Sequence, residues 1–333
     1  MRVPYERMHA EFVRVLEKYG FDSQRAQLCA TLFAQTSLDG VYTHGLNRFP
    51  RFISNIQSGI VHVDARPECV GKIGVIERWD GHQGVGNLTA YTCMARAIEL
   101  AHENTIGVVA LKNNNHWMRP GAYGLMAAQQ DCIGILWTNT TPNMPPWGGK
   151  EAKLGNNPVV IAMPNGDSPL LLDVAMSLFS YGKMEMSVLQ GKQLPFEGGF
   201  DEEGNLTRDP AKILKSAQPL PIGYWKGSGL SLLLDLLAAS LAGGCTTYEI
   251  GQKPQGETDL SQIFVAIDLK HFPDRAQIQA RIEATLADLA ATTPVHAGDL
   301  VRYPGAGMQK VRKDNLENGI PVDESVWNTV CAF

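Results

Sequence analysis

Apolar residues recur at two different periods along this chain, and the exchange between them defines the fold class. Met8, Phe12, Val15, Leu16 and Tyr19 fall at helical spacing, and Gly20 closes the run. Asp22 or Ser23 then caps a second helix whose inner face is Ala26, Cys29, Leu32, Phe33 and Thr36. Residues 40–52 mix polar groups with aromatics, and their second half reads as helical. Further on, Ile73–Trp79, Ile106–Leu111 and Cys132–Thr138 are short apolar runs of the strand kind, separated by helical patterns at Leu88–Ala101 and 120–129. Two more strands are expected at Val159–Met163 and Leu170–Asp173, and a late one at Gln262–Asp268. Helices are expected at Lys226–Ala242, Ala276–Leu289 and Lys310–Asn318, with a final turn from Glu324.

Strands alternating with helices predict a layered α/β (α+β) molecule. The expected organisation is an α/β domain over residues 65–274 and a helical domain built from both chain ends, 1–64 with 275–333. Two segments read as loops. Residues 139–158 are rich in Pro, Gly and Asn, and a loop of that length inside a compact chain tends to carry function. Residues 190–222 are polar and hold Gly198-Gly199 and several prolines. No internal repeat is evident.

Composition narrows the field of partners. The formal net charge is −5, and no basic stripe of the kind that binds nucleic acid is present. The start of the chain has no continuous apolar core of a signal peptide. The longest apolar stretch, Leu230–Ala242, is broken by Asp235 and Ser240 and is too short to span a bilayer. A cytoplasmic protein without membrane contact is expected. None of the six cysteines lies within four residues of another, so a CxxC pair and a zinc ribbon are not predicted.

The candidate chemistry begins at His44 and Arg48. If residues 44–52 are helical, the two lie four apart and share a face. An imidazole moves protons near neutral pH, and a guanidinium grips a carboxylate with two parallel hydrogen bonds. A 2-keto acid needs both. The plain alternative is a surface His and Arg near a turn. His116 follows Asn113-Asn114-Asn115 at the end of a buried strand, where ligands often sit, although asparagines also serve simply as turn residues. Asp173 ends another strand, as a helix cap or as a partner that orients His44.

The glycines do not form a GxGxxG or a P-loop. Lys226-Gly-Ser-Gly229 at a helix start and Pro304-Gly-Ala-Gly307 are the better candidates for phosphate or close backbone approach. Metal binding by His44, His82, His116 and Asp173 is a rival reading, but their spacing matches no compact ligand pattern, and no metal is expected. A non-catalytic ligand-binding protein is a third.

The run Gly40-Val-Tyr-Thr-His-Gly-Leu-Asn-Arg-Phe-Pro50 resembles the N-terminal signature of the type-2 malate/L-lactate dehydrogenase family. So do Asn115-His116, Pro146-Trp-Gly-Gly-Lys-Glu151, Leu154-Gly-Asn-Asn-Pro158, Asp173-Val-Ala-Met-Ser177 and Tyr224-Trp-Lys-Gly-Ser-Gly229. The resemblance spans nearly the whole chain, in order. It implies the family's own nucleotide-binding domain with a mixed sheet, not a Rossmann fold. It also implies a homodimer, a nicotinamide cofactor (NADH, with NADPH open) and a small 2-keto acid substrate. By this resemblance His44 is the acid/base residue. Arg48, Asn115 and His116 are expected to hold the substrate. The cofactor is expected to touch Pro169, Leu170, Leu171, Leu172, Asp173, Val174 and Ala175, then Trp225 and Lys226, then Gly305, Ala306 and Gly307. Two positions depart from the family pattern: Asn156 replaces a common threonine before Asn-Pro, and Met176 replaces a hydroxyl. Trp117 and Met118 replace a smaller pair usual in malate-type members, which points away from malate. Other family reactions remain open, on malate, sulfolactate, ureidoglycolate or a cyclic imine.

Overall fold

The computed structural model describes residues 1–254, 256–296 and 298–333. The chain starts with a short strand, β1 (Arg2–Val3), and two paired helices, α1 (Tyr5–Lys18) and α2 (Ser23–Leu38). Asp22 caps α2 by accepting a hydrogen bond from the Arg25 amide, 2.9 Å away. A helical turn at Leu46–Arg48 leads into α3 (Phe49–Gln57). Phe12, Phe33, Phe49 and Phe52 meet in one buried aromatic cluster, with Phe12 stacked on Phe49 at 4.3 Å between centroids.

The sheet follows. Its strands and the helices between them are β2 (Glu68–Ile73), β3 (Ile76–Asp80), α4 (Gly86–Asn104), β4 (Ile106–Asn114), α5 (Gly121–Gln129), β5 (Cys132–Thr138), β6 (Val159–Met163) and β7 (Leu170–Val174). Beyond it come α6 (Tyr181–Leu189), the small hairpin β8 (Gly199–Phe200) and β9 (Leu206–Thr207), α7 (Pro210–Ser216), α8 (Trp225–Ala242) and α9 (Thr247–Gly251). β10 (Leu260–Asp268) returns to the sheet. The chain closes with α10 (Arg275–Ala290), α11 (Met308–Asn318), β11 (Ile320–Pro321) and α12 (Glu324–Ala332).

The strand order is β2-β3-β4-β10-β5-β6-β7. Among the described residues only β3 and β4 run parallel in this sheet, so the sheet is mixed and this is not a doubly wound Rossmann fold. Side chains leave alternate faces of each strand. Val109, Leu111, Phe264 and Ala266 therefore pack under α4 and α5, while Ala110 and Ile263 pack under α8. The N-terminal helices share their core with Ile320, Trp327 and Val330 from the other end of the chain, and β1 pairs with β11. α10 contributes no buried residue to it. Among the described residues, no helix is long and apolar enough to cross a membrane.

Several expectations need correction. Ile73–Trp79 is not one strand. β2 ends at Ile73, Gly74 turns the chain at φ +59, and β3 starts at Ile76. Segment 190–222 is not all loop, because Asp209 caps α7 and β8 pairs with β9. The helix α6, capped by Ser180, was not anticipated, nor was α9 with its Thr246–Glu249 capping box.

Candidate active site

β4, β5 and β7 all finish at the same end of the sheet, and a cleft of about 1010 Å³ opens there. Its walls come from the loop before α3, the strand ends, the 139–158 loop, the start of α6 and the turn before α11. His44, Arg48, His116 and Asp173, distant in sequence, all line it.

The His44 loop is held from behind by α2. The Leu46 amide donates to Ser37 Oγ at 2.9 Å. A Cβ on Gly45 would lie 2.1 Å from that same hydroxyl, so only glycine fits. His44 Nδ1 is hydrogen-bonded to Thr43 Oγ1 at 3.0 Å. Gly182, at the start of α6, packs on Thr43 with no room for a side chain. The His44 ring lies beside His116, with centroids 5.9 Å apart and planes tilted by 25°. His116 Nδ1 accepts from the Met118 amide at 3.0 Å, so the neutral ring carries its proton on Nε2.

Charge in the cleft is strongly arranged. Burial, then the positive charges of Arg48 and Arg119, push the His44 pKa down to about 4. Burial, followed by Arg48 and His44, also holds His116 well below its ordinary value. Arg48 pairs with Glu257 at 2.9 Å, and Arg51 stands 4.0 Å from the same carboxylate. Arg119 is 4% exposed, and its Nη1 lies 2.5 Å from Asp39. Asp39 also takes Arg312 at 2.6 Å.

Asp173 accepts the Gly121 amide at 2.9 Å and so caps α5. It opens onto the cleft but is hemmed in by protein, which raises its pKa; Arg119 and the Gly121 amide offset part of that rise. Among the described residues no hydrogen bond joins Asp173 to His44, whose Nδ1 partner is Thr43.

Other expected site residues fall in different places. The Asn115 amide is spent on the carbonyls of Ile60, Gln83 and Gly84, and the residue is not on the cleft wall. It clips the loop that presents His116. Leu171, Asp173 and then Ala175 line the cleft, whereas Leu170, Leu172 and Val174 do not, as the two-residue period requires; Pro169, just before β7, does not line it either. Gly305, Ala306 and Gly307 all line it. Trp225 and Lys226 start α8 away from this cleft, with Trp225 66% exposed. The Trp117 ring is 1% exposed and packs on Phe264 at 5.8 Å, so its bulk serves the core.

Arg119, Arg51, Glu257, Arg302 and Lys310 also line the cleft and were not anticipated. Of these only Arg119 had a signal, its place three residues after His116. Among the described residues, the group with metal-ligand atoms within 4.8 Å of one another is His102, Cys132 and Asp268, at the opposite end of the sheet.

The cleft suits a dinucleotide. Gly305 has φ +93, and a Cβ there would meet the Pro169 carbonyl at 2.9 Å. Gly307 has open space beside it. The N-terminus of α11 follows directly, and Lys310 and Arg302 line the same wall, so anionic groups are favoured there.

The malate/L-lactate dehydrogenase family model matches residues 3–331. The chain belongs to this family of nicotinamide-dependent dehydrogenases. It is 45% identical over 334 residues to 2,3-diketo-L-gulonate reductase of Citrobacter koseri, covering 100% of both chains. Among solved structures it resembles sulfolactate dehydrogenase from Methanocaldococcus jannaschii (29% identity, TM-score 0.90, 99% of this chain and 95% of that one). Malate dehydrogenase from Pyrococcus horikoshii is similar at 30% identity and TM-score 0.89, covering 100% of this chain and 95% of the other.

The His44 environment makes a pH prediction. Above about pH 6.5 the imidazole is neutral both folded and unfolded and adds no pH dependence. Between there and about 4, the unfolded chain takes up a proton that the folded one refuses, so stability falls on acidification. Denaturant unfolding across this window should show His44→Gln losing less stability than wild type, by at most roughly 3 kcal/mol. Parallel pH curves for the two proteins would contradict the reading.

Proposed function

We propose that this chain is an NADH-dependent reductase of a small 2-keto acid, converting 2,3-diketo-L-gulonate to 3-keto-L-gulonate. The observation that carries this is the placement of His44 and Arg48 on one wall of a cleft that also receives Gly305–Gly307. Full-length similarity to 2,3-diketo-L-gulonate reductase supports the choice of substrate.

The bound reduced nicotinamide supplies the hydride. Arg48 takes the substrate carboxylate, exchanging its contact with Glu257 for the ligand's. His44 donates the proton to the oxygen that develops negative charge at the reduced carbon. Without ligand, burial and two guanidinium groups keep His44 neutral. A carboxylate on Arg48 screens one of those charges and raises the imidazole's proton affinity. His116 lends its Nε2 proton to a substrate oxygen. Asp173 fixes the start of α5, and Asn115 fixes the His116 loop. Arg302 and Lys310 are the cations a ribose phosphate would need, so both NADH and NADPH belong in the assay.

The working form we propose is a cytoplasmic homodimer. Leu230, Leu232, Leu233, Leu236 and Leu237 are 44–57% exposed along α8, a row of apolar surface that a second copy would cover. Trp225 and Lys226, at the head of that helix, then stand where they can serve a partner's cofactor.

Three outcomes are expected. His44→Ala should lower turnover by about 10²–10⁴-fold with NADH affinity nearly unchanged, measured by NADH oxidation and fluorescence titration. Wild-type turnover in that variant would remove His44 from the reaction. Arg48→Lys should raise KM for the keto acid, because a point charge does not replace a planar fork; an unchanged KM would take Arg48 out of the site. Leu233→Glu should shift the protein from dimer to monomer in light scattering. A dimer that persists would place the interface elsewhere.

A further inference from the structure

Arg119 is the least explained charge in the cleft. It sits three residues beyond His116, in the loop between β4 and α5, and is 4% exposed. Its Nη1 is held by Asp39, but Asp39 also neutralises Arg312. One carboxylate thus serves two guanidinium groups, and the nearby Asp173 carboxylate makes no hydrogen bond to Arg119 among the described residues. Among the described residues, the Nη2 of Arg119 meets only the weak acceptor Sδ of Met308, at 3.2 Å, and its Nε is buried with no hydrogen-bond partner. A buried guanidinium with unspent N–H groups is costly unless a ligand completes it.

Its surroundings indicate which ligand atom that is. Arg48 reaches the cleft from the segment before α3, with Glu257 as its partner. Arg119 reaches it from the strand side, with a different partner. Both line the same cleft as His44, whose ring stacks at 5.9 Å between centroids on the His116 that shares Arg119's loop. The proton donor therefore has two separate guanidinium groups near it. A simple 2-keto acid offers a carboxylate for one of them and a reacting oxygen for His44. It has nothing for the second.

We propose that Arg119 is a specificity residue that takes an oxygen on the carbon next to the reduced carbonyl, so that the cleft selects 2,3-dioxygenated acids over 2-keto acids unsubstituted at that carbon. The assignment rests on the reductase reading above. Asp39 fixes the guanidinium in advance, so no ordering is needed on binding. Leaving a site's donors unpaired is what discriminates against a substrate that lacks the matching oxygen.

The test compares two substrates, 2,3-diketo-L-gulonate and a six-carbon 2-keto-3-deoxy aldonic acid, in wild type, Arg119→Met, Arg119→Lys and Arg312→Met. NADH affinity and melting temperature are read alongside. In Arg119→Met, kcat/KM on the diketo acid should fall roughly 10- to 100-fold, the worth of a hydrogen bond to a charged group. The deoxy acid should be affected far less, so the preference collapses. Arg119→Lys, which keeps the charge on Asp39, should hold the fold and lose part of the preference. Arg312→Met removes the other partner of Asp39 outside the cleft and should leave the preference intact. An equal fall on both substrates would make Arg119 a structural residue and overturn the proposal. A preserved preference with weakened NADH binding would assign Arg119 to the cofactor and overturn it equally. If wild type reduces neither acid, the reductase reading itself fails, a result distinct from either.

Discussion

One buried carboxylate joins the walls on which the cleft depends. Asp39 follows the last turn of α2, and its two oxygens receive Arg119 from the strand side and Arg312 from α11. The N-terminal helices, the sheet and a C-terminal helix thus meet at a single acid that is 8% exposed. Removing one member of a buried ion pair typically costs about 3–5 kcal/mol, because the remaining charge is stranded. Here the loss would act where the floor of the cleft meets its rim. The His44 loop follows Asp39 by only a few residues, so its position is inherited from the same junction.

The strands whose cores were legible are those with at least one face buried in the core. Ile106–Leu111, Cys132–Thr138 and Val159–Met163 are near-continuous apolar runs, and the hydrophobic effect leaves little else for them to be. β2 escaped notice because it is an edge strand. Five of its six residues are exposed, so it carries no apolar signal. Short capped helices such as α7 escaped because their stability comes from a cap and neighbouring contacts, not from a long amphipathic stripe. Strand order was not legible at all, since it is a property of contacts between distant segments.

The same division holds at the cleft. His44 and Arg48 were visible because both groups come from one short segment. That His116 would stack beside His44 was not, for 72 positions separate them and only the sheet brings them together. Asn115 was read as a ligand contact because an amide can serve either a substrate or the backbone, and spacing does not tell which. The structure gives its donors to three carbonyls. Arg119 stands three residues after His116, but its meaning comes from Asp39 in another part of the chain, which spacing does not show.

The place of β10 has a bearing on how the molecule is made. It lies between β4 and β5, pairing antiparallel with both. On a ribosome those two strands emerge long before their common neighbour, by a delay on the order of ten seconds at ordinary synthesis rates. Throughout that interval each presents an open hydrogen-bonding edge of strongly apolar residues. A nascent chain in this state is a natural client for chaperones, and crowding many such chains together invites strand exchange between them before either can close its own sheet.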